Sequence, residues 1–246
     1  MRSRIWCSST GIRSVTSATD TRRALRSLAD TIVACRACPR LVAHREEIAR
    51  VKRRQFRDDD YWGRPLPGFG DPRARLLIVG LAPAAHGGNR TGRMFTGDDS
   101  GHWLLRAMHG AGFANLPTSE RRDDGLELRD AYITAAARCA PPDNKPTLDE
   151  LARCRPYLMR ERELLGRVRV IVALGQIGFA AVLATERALG RIVPKPTPRF
   201  GHGTEATIGS ITLIGSYHPS RQNTQTGKLT VPMLAAIFVR VRELVG

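Results

Sequence analysis

The stretch RLLIVGLAPAAHGGNRTGRMFTGDDSG, residues 75–101, contains an abrupt change of character. It begins with RLLIVGL (75–81), a continuous apolar run typical of a strand that is buried on both faces. The residues that follow include a histidine and two adjacent aspartates, and six glycines lie between positions 80 and 101. Because glycine lets the backbone approach another molecule closely, the stretch predicts a buried strand that opens into a ligand-binding loop.

Three more apolar runs follow along the chain, and helix-like stretches separate them. This alternation indicates an α/β fold in which helices cover both faces of a parallel sheet. We therefore predict a single domain over residues 21–246 with a central four-stranded parallel sheet, preceded by a flexible tail over residues 1–20. The predicted strands are 75–81, 131–137, 168–175 and 211–217, and two N-terminal helices are predicted over 21–38 and 41–54.

Three unusual loops are predicted at one edge of this sheet. The first strand runs into the glycine-rich loop, the second into RCAPPDNKP (138–146), and the fourth into HPSRQNTQTGK (218–228). In parallel α/β sheets, ligands bind at the carboxyl ends of the strands. The convergence of these loops therefore predicts a binding site at that edge.

The chain is strongly basic: Lys and Arg total 39 against 23 acids, which gives a net charge of +16. Arginine predominates, and guanidinium groups bind phosphate oxygens in pairs, so the composition favours a polyphosphate partner. The alternative is a GC-rich genome, which raises arginine through codon usage. No apolar run approaches the roughly 20 residues that span a bilayer, and the N-terminus lacks the apolar core of a signal peptide. We expect a cytosolic protein that binds no membrane.

Four of the five cysteines have a pattern typical of metal ligands. Cys35 and Cys38 form a CxxC motif, and Cys139 and Cys154 both lie beside prolines. Four thiolates suit zinc or an iron–sulfur cluster, and the spacing leaves both open, as it does the alternative of four buried core thiols. Such a site would tie the N-terminal helices to the loop after the second strand. Cys7, in the predicted tail, is not expected to be a ligand.

The sequence excludes several common chemistries. The motifs GxGxxG, GxxxxGK[ST], GxSxG and HExxH are all missing, which argues against dehydrogenases, P-loop NTPases, serine hydrolases of the α/β class and zinc proteases. The remaining candidates are Phe95, Asp98, Asn144 and His218. Each has a structural alternative: Phe95 belongs to the core, or Asp98 caps the helix that begins near Ser100. His218 precedes a proline, which holds it in an extended backbone geometry.

Three segments together resemble a known family. PGFGDPRARLLIVGLAPAAHGGNRTGRMFTGDDSG, RCAPPDNKP and HPSRQNTQTGKLT are similar to the motifs of family 5, or type B, of the uracil-DNA glycosylase superfamily. This is the iron–sulfur branch of the superfamily, and the likeness runs from about Cys35 to the C-terminus. It implies a structural 4Fe–4S cluster on the four cysteines, and hydrolysis of the N-glycosidic bond of a nucleotide flipped out of DNA. It further implies a monomer that acts at the bacterial nucleoid.

The resemblance also suggests roles for individual side chains. His218 would donate a hydrogen bond to the departing base, and Phe95 would stack on it. Asp98 would orient water and stabilise the sugar cation, with Asp99 capping the next helix. The remaining predicted contacts to water, base or DNA come from Asn144, Arg221, Gln222 and Asn223.

Two departures from the family pattern affect selectivity. The start of the first motif reads Gly80, Leu81, Ala82, Pro83, Ala84, where most relatives carry an acid or asparagine that positions water. Ala135 stands where many relatives have an asparagine that reads uracil. A pocket with fewer fixed hydrogen-bond partners rejects other bases less sharply, so we expect hypoxanthine or bulkier cytosine adducts to be accepted as well.

Two rival functions belong to other classes. One is a non-enzymatic DNA-binding module in which the cluster senses redox state. The other is an iron–sulfur nuclease, which would need clustered acids to hold magnesium, and the sequence offers no convincing set.

Overall fold

The computed structural model describes residues 18–246. Most of the predicted tail, together with Cys7, lies outside the described residues, and the first helix begins at Ala18, three residues before the predicted start. None of the described helices is long and apolar enough to cross a membrane.

One mixed sheet forms the centre of the fold. Its strands are β1 (Phe69–Gly70), β2 (Leu76–Gly80), β3 (Ala131–Ala135), β4 (Val170–Leu174), β5 (Glu205–Ile208) and β6 (Ile211–Ser216). Their spatial order is β1-β3-β2-β4-β6-β5. The four predicted strands are β3, β2, β4 and β6, and they pair in parallel. The prediction of a four-stranded, all-parallel sheet is nevertheless wrong, because the sheet has six strands and both edges are antiparallel.

The two edge strands gave weak sequence signals for different reasons. β1 is two residues long and lies in a segment rich in glycine and proline, where no alternating pattern can develop. β5 forms a hairpin with β6 across the two residues Gly209 and Ser210, and three of its four residues are at least partly exposed. A half-exposed strand lacks the continuous apolar run by which the central strands were found.

Helices cover both faces of the sheet, as predicted. The helices are α1 (Ala18–Val33), α2 (Pro39–Val51), α3 (Gly88–Thr91), α4 (Asp99–Gly110), α5 (Leu148–Leu164), α6 (Gln176–Ala188), α7 (Arg221–Gln225) and α8 (Val231–Val245). One face of β2, with Leu76 and Ile78, packs against α4 and α8. Its other face, with Leu77 and Val79, packs against α1, α5 and α6.

A buried ion pair fixes the end of β3 against α5. Arg138 Nη2 lies 2.6 Å from Glu161 Oε2, and both side chains are 1% exposed. The same carboxylate accepts hydrogen bonds from Thr134 Oγ1 at 2.6 Å and from the Gly68 backbone N–H at 3.2 Å. Because its hydrogen bonds are satisfied within the protein, this buried charge is tolerated. It holds the backbone on which Cys139, the next residue, is placed.

Candidate active site

Phe95 and His218 meet at the carboxyl edge of the sheet. Their ring centroids are 5.9 Å apart and their planes are inclined by 31°. Phe95 adopts a left-handed backbone with φ of 52°, which is uncommon for a residue other than glycine and costs free energy. A Cβ atom at Gly80 would lie 2.9 Å from the Phe95 ring, so the last residue of β2 must be glycine for the ring to sit there. The loops after β2 and β6 therefore converge as predicted.

His218 is held firmly and is neutral at physiological pH. Its backbone carbonyl accepts hydrogen bonds from Asn223 Nδ2 and from the Ser220 N–H, both at 2.8 Å. Burial lowers the pKa of His218 to about 4, because the charged imidazolium is poorly solvated there. A neutral imidazole can still donate one N–H hydrogen bond. Asn223, expected to contact water or base, directs its amide to this carbonyl and shapes the loop.

Asp98 caps α4, as the structural alternative anticipated. Its Oδ1 accepts a hydrogen bond from the Gly101 N–H at 2.8 Å. Its Oδ2 faces the first loop, where a Cβ atom at Gly87 would lie only 1.9 Å away. Burial raises the pKa of Asp98, and the helix N–H groups act in the opposite direction. One carboxylate oxygen is thus fixed by the helix, while the other lies against the glycine-rich loop.

Asp99 and Arg221 link the first loop to the third. Arg221 Nε forms a short ion pair with Asp99 Oδ2 on the outer side of the site, where both side chains are largely exposed. The expectation that Asp99 caps the following helix is wrong, because that helix begins at Asp99 itself and Asp98 is its cap. Gln222, the next residue of α7, is exposed.

The second loop carries Asn144, which was predicted to contact water or the base. Asn144 is exposed at the end of a short turn, and its backbone is left-handed with φ of 55°. Within residues 18–246, its side chain forms no hydrogen bond with Asp98 or His218. The stretch from Leu81 to Ala84 forms the start of the first loop. Pro83 is buried against Gly88, and the other three residues of the stretch are half-buried.

Two histidines of this region have ordinary polar partners. His86 Nδ1 lies 3.0 Å from the hydroxyl of Tyr61, and His102 Nε2 lies 2.7 Å from Glu120. Both imidazoles are therefore engaged by neighbouring side chains of the protein. The contact that sequence reasoning missed is the one between Gly87 and Asp98, although the glycine doublet at 87–88 was a signal that something approaches closely there.

The four cysteines converge between α2, α5 and the end of β3. Cys38, Cys139 and Cys154 are buried, Cys35 is partly exposed, and all four are free thiols. Each lies within electrostatic range of others in the group. In the described part of the chain, no three Cys, His, Asp or Glu side chains are placed to hold a metal ion.

Buried guanidinium groups surround these thiols. Arg45, 2% exposed, donates a hydrogen bond from Nη1 to Cys139 Sγ at 2.9 Å. Within residues 18–246, the buried Nε atoms of Arg45 and Arg138 have no hydrogen-bond partner. Guanidinium N–H groups left unpaired beside thiols fit an anionic group such as a thiolate-bound cluster.

Arg45 also contacts the first loop through its backbone. Its carbonyl oxygen accepts a hydrogen bond from Asn89 Nδ2 at 3.1 Å, and Asn89 lies in α3, a few residues before Phe95. One residue thus touches both the thiol group and the loop that carries Asp98.

These features define an α/β protein with a candidate site at the carboxyl edge of the sheet, around which lie a neutral imidazole, an aromatic ring and a half-buried carboxylate. The chain belongs to the uracil-DNA glycosylase superfamily, whose family profile matches residues 67–242. It is 53% identical to the type-5 uracil-DNA glycosylase of Mycobacterium tuberculosis, over 87% of this chain and 80% of that protein. It is 51% identical to the type-5 enzyme of Thermus thermophilus, over 88% of this chain and 96% of that protein. It is 46% identical to the type-5 uracil-DNA glycosylase of Pyrobaculum aerophilum, over 87% of this chain and 91% of that protein.

Proposed function

We infer that this chain is a DNA repair glycosylase that hydrolyses the N-glycosidic bond of uracil in DNA and leaves an abasic site. The observation that carries this inference is the neutral His218 beside Phe95 at the carboxyl edge of the sheet. Its relatives at 46–53% identity are named uracil-DNA glycosylases.

His218 and Phe95 act on the base in this proposal. An extruded base stacks on the Phe95 ring, which stands next to the imidazole. As the glycosidic bond lengthens, negative charge develops on the departing base, and the His218 N–H donates a hydrogen bond to its carbonyl oxygen. Because His218 is neutral, it donates this bond without a full positive charge, and the base leaves as an anion that the hydrogen bond stabilises.

Asp98 acts on the sugar. Its Oδ2, the oxygen that lies against the first loop at Gly87, accepts a proton from the attacking water, and the carboxylate offsets the positive charge that develops on the sugar. Asn144, in the second loop, is proposed to contact water or DNA once the substrate is bound, since the side chain is exposed and unengaged. Arg221 and Gln222 are proposed to face the DNA at the third loop.

The base spectrum is proposed to be broader than uracil. Position 135 is alanine, buried in β3, and the loop from Gly80 to Ala84 offers only apolar side chains. Neither can reject a wrong base by leaving a polar group unpaired, which is how sharp discrimination is achieved. Hypoxanthine and bulkier cytosine adducts are the proposed additional substrates.

A panel of oligonucleotides that carry different damaged bases tests the function. Base release is measured on single- and double-stranded DNA containing uracil, hypoxanthine or a cytosine adduct. Release of uracil with turnover supports the glycosylase. Binding without release from any of them would favour the non-enzymatic module.

The Gly87→Ala variant should release uracil roughly 10- to 100-fold more slowly, because the new methyl group displaces Asp98 Oδ2 and small misplacements of a catalytic group are costly. Single-turnover kinetics measure the effect. Gly110→Ala is the matched control, since a Cβ atom there meets nothing within 4 Å. A Gly87→Ala enzyme with the wild-type rate would show that the position of Asp98 is unimportant.

We propose that the four cysteines hold a structural 4Fe–4S cluster. The proposal is supported by the neighbouring positions of the four thiols and by the buried Arg45, which donates a hydrogen bond to Cys139 Sγ. A guanidinium beside a thiol favours the thiolate, the form that binds a cluster. When bound, the cluster would link α2 to the end of β3 and contribute to folding.

Purified protein should therefore be brown and absorb broadly near about 400 nm. Cys154→Ser should bleach this band and lower the melting temperature, because a metal site that closes a long loop contributes to folding. Cys7→Ser should leave the colour unchanged. Colourless protein that contains zinc would contradict the assignment.

Two further proposals concern the oligomeric state of the enzyme and its location in the cell. We propose that the enzyme works as a monomer in the bacterial cytoplasm, at the nucleoid where its DNA substrate lies. Sedimentation analysis tests the first point and fluorescence microscopy of a tagged chain tests the second.

A further inference from the structure

A second groove, of about 730 Å³, opens between α1, α2 and residues 61–67. One side of it carries Trp62, Arg64 and Arg122, which we call the tryptophan–arginine rim. The guanidinium carbons of Arg64 and Arg122 lie 5.6 and 4.6 Å from the centroid of the Trp62 ring. Both arginines are exposed, and no carboxylate within residues 18–246 pairs with either of them. The rim thus combines a half-buried indole with two uncompensated positive charges.

The rim is attached rigidly to the catalytic loop. The Trp62 backbone N–H donates to the Arg90 carbonyl at 2.9 Å, and its indole N–H donates to the Pro65 carbonyl at 3.3 Å. A Cβ atom at Gly92 would lie 3.0 Å from the indole ring, so the ring rests directly on this glycine. Gly92 precedes Phe95 by three residues, so the rim rests on the same loop that carries Phe95.

A buried arginine fixes the segment that delivers Arg122. Arg93 donates hydrogen bonds to the carbonyl oxygens of Arg121 and Arg122, at 2.7 and 3.0 Å, and pairs with Asp124 at 2.5 Å. The Arg93 side chain is 9% exposed, so its positive charge is paired with Asp124 inside the protein and is not presented to a ligand. What it provides is an anchor: the loop is held against the catalytic loop, and the Arg122 side chain extends from it over Trp62.

The negative groups of the groove lie on the opposite wall. Glu46 is bound in two places by Arg36, at 2.5 and 3.2 Å, which largely neutralises it. Asp30 is exposed on α1. Within residues 18–246, the exposed positive charges of the groove that have no paired carboxylate are therefore those of the rim, Arg64 and Arg122. Two guanidinium groups held in place on an indole ring suit a nucleic acid strand, because they can pair with the phosphates of its backbone.

We propose that the tryptophan–arginine rim binds the DNA strand that flanks the flipped nucleotide on one side, with Arg64 and Arg122 on successive phosphates. This rests on the proposed function only in taking DNA as the substrate. The rim lies outside the reacting centre, so it contributes affinity and not the chemical step.

The test compares Arg64→Ala/Arg122→Ala with Arg167→Ala/Arg169→Ala. The control pair is equally exposed and precedes β4, so it removes the same charge at the opposite edge of the sheet. Binding of a single-stranded oligonucleotide with an abasic-site analogue is measured by fluorescence anisotropy at several salt concentrations. The rim variant should bind roughly 10-fold more weakly, and its log–log salt slope should be shallower by about 1.5, as expected for two lost phosphate contacts. The control should change the slope by less than about 0.5.

Two further measurements separate the possible outcomes. Oligonucleotides that extend from the analogue on only one side should show the loss for one side and not the other. The single-turnover rate at saturating uracil DNA should stay at the wild-type value. Equal losses for the rim and control variants, or equal losses on both sides, would overturn the proposal. A wild-type protein that binds DNA without releasing uracil would contradict the proposed function and leave the binding comparison valid.

Discussion

The His218→Ala enzyme is expected to release uracil roughly 100-fold more slowly than the wild type, with nearly unchanged affinity for DNA. The reason is that the imidazole N–H interacts with charge that exists only as the base departs, and an interaction confined to the transition state changes the rate without changing ground-state binding. His218 stands beside Phe95, with its backbone fixed by Asn223, so the donor is already in place before the substrate arrives.

The pH dependence sharpens this prediction. The pKa of His218 is lowered to about 4, so the imidazole remains neutral as pH falls through the range in which an ordinary histidine becomes charged. We therefore expect that His218 causes no change in the single-turnover rate near pH 6.5. The pH profiles of the wild type and of the His218→Ala variant should have the same shape in that range. His109→Ala, which removes an exposed histidine from α4, serves as the control. If His218→Ala lost affinity and rate together, His218 would belong to binding and not to the chemical step.

Asp98→Ala should lose most of the activity, by a factor of roughly 100 or more, because it removes the carboxylate that orients water and offsets the sugar charge. The variant also loses the cap of α4, which costs about 1 kcal/mol of stability. Asp98→Asn separates the two effects: its side-chain oxygen can still accept the Gly101 N–H, while the negative charge is gone. We expect Asp98→Asn to be nearly as stable as the wild type and almost as inactive as Asp98→Ala.

Asp99→Ala is the matched control for this position. It removes an exposed ion pair with Arg221, and such pairs contribute about 0–1 kcal/mol, so activity should be largely retained. Single-turnover rates and thermal melts measure both variants. If Asp99→Ala is the inactive one, the roles of the two aspartates are exchanged. If both remain active, water is held by Asn144 or by the backbone.

The acid limb of the rate profile should follow Asp98. Burial raises its pKa, and the proposed role requires the ionised form. The rate should therefore fall, as pH decreases, at a higher pH than the roughly 3.9 of an ordinary aspartate. Asp98→Asn cannot ionise and should lack this limb.

The sequence was most informative where burial is continuous. The four central strands are buried along almost their whole length, so their existence and parallel orientation followed from the chain alone. β1 and β5 escaped notice because one is too short and the other too exposed to carry a pattern. The meeting of Phe95 with His218 followed from topology, since loops at the carboxyl ends of parallel strands converge.

The directions of loop side chains did not follow from the sequence. Asp143 and Asn144 both have positive φ, which turns their side chains in a way that residue types alone do not reveal. The amide of Asn223 turns back to the His218 carbonyl for a similar local reason. The placement of Asp98 Oδ2 against Gly87 depends on two segments eleven residues apart, and only the folded loop brings them together.

The position of Arg45 predicts the phenotype of substitutions near the thiol site. Its guanidinium contacts Cys139 while its carbonyl holds Asn89, so the thiol site and the catalytic loop share one support. If the four cysteines hold the proposed cluster, loss of iron or a substitution near Arg45 would disturb that support. A genetic screen for lost repair would therefore recover such variants among the active-site alleles, although Arg45 and Cys139 are distant in the sequence from Asp98 and His218. The iron content of each purified variant would distinguish substitutions that disturb the thiol site from those in the active site.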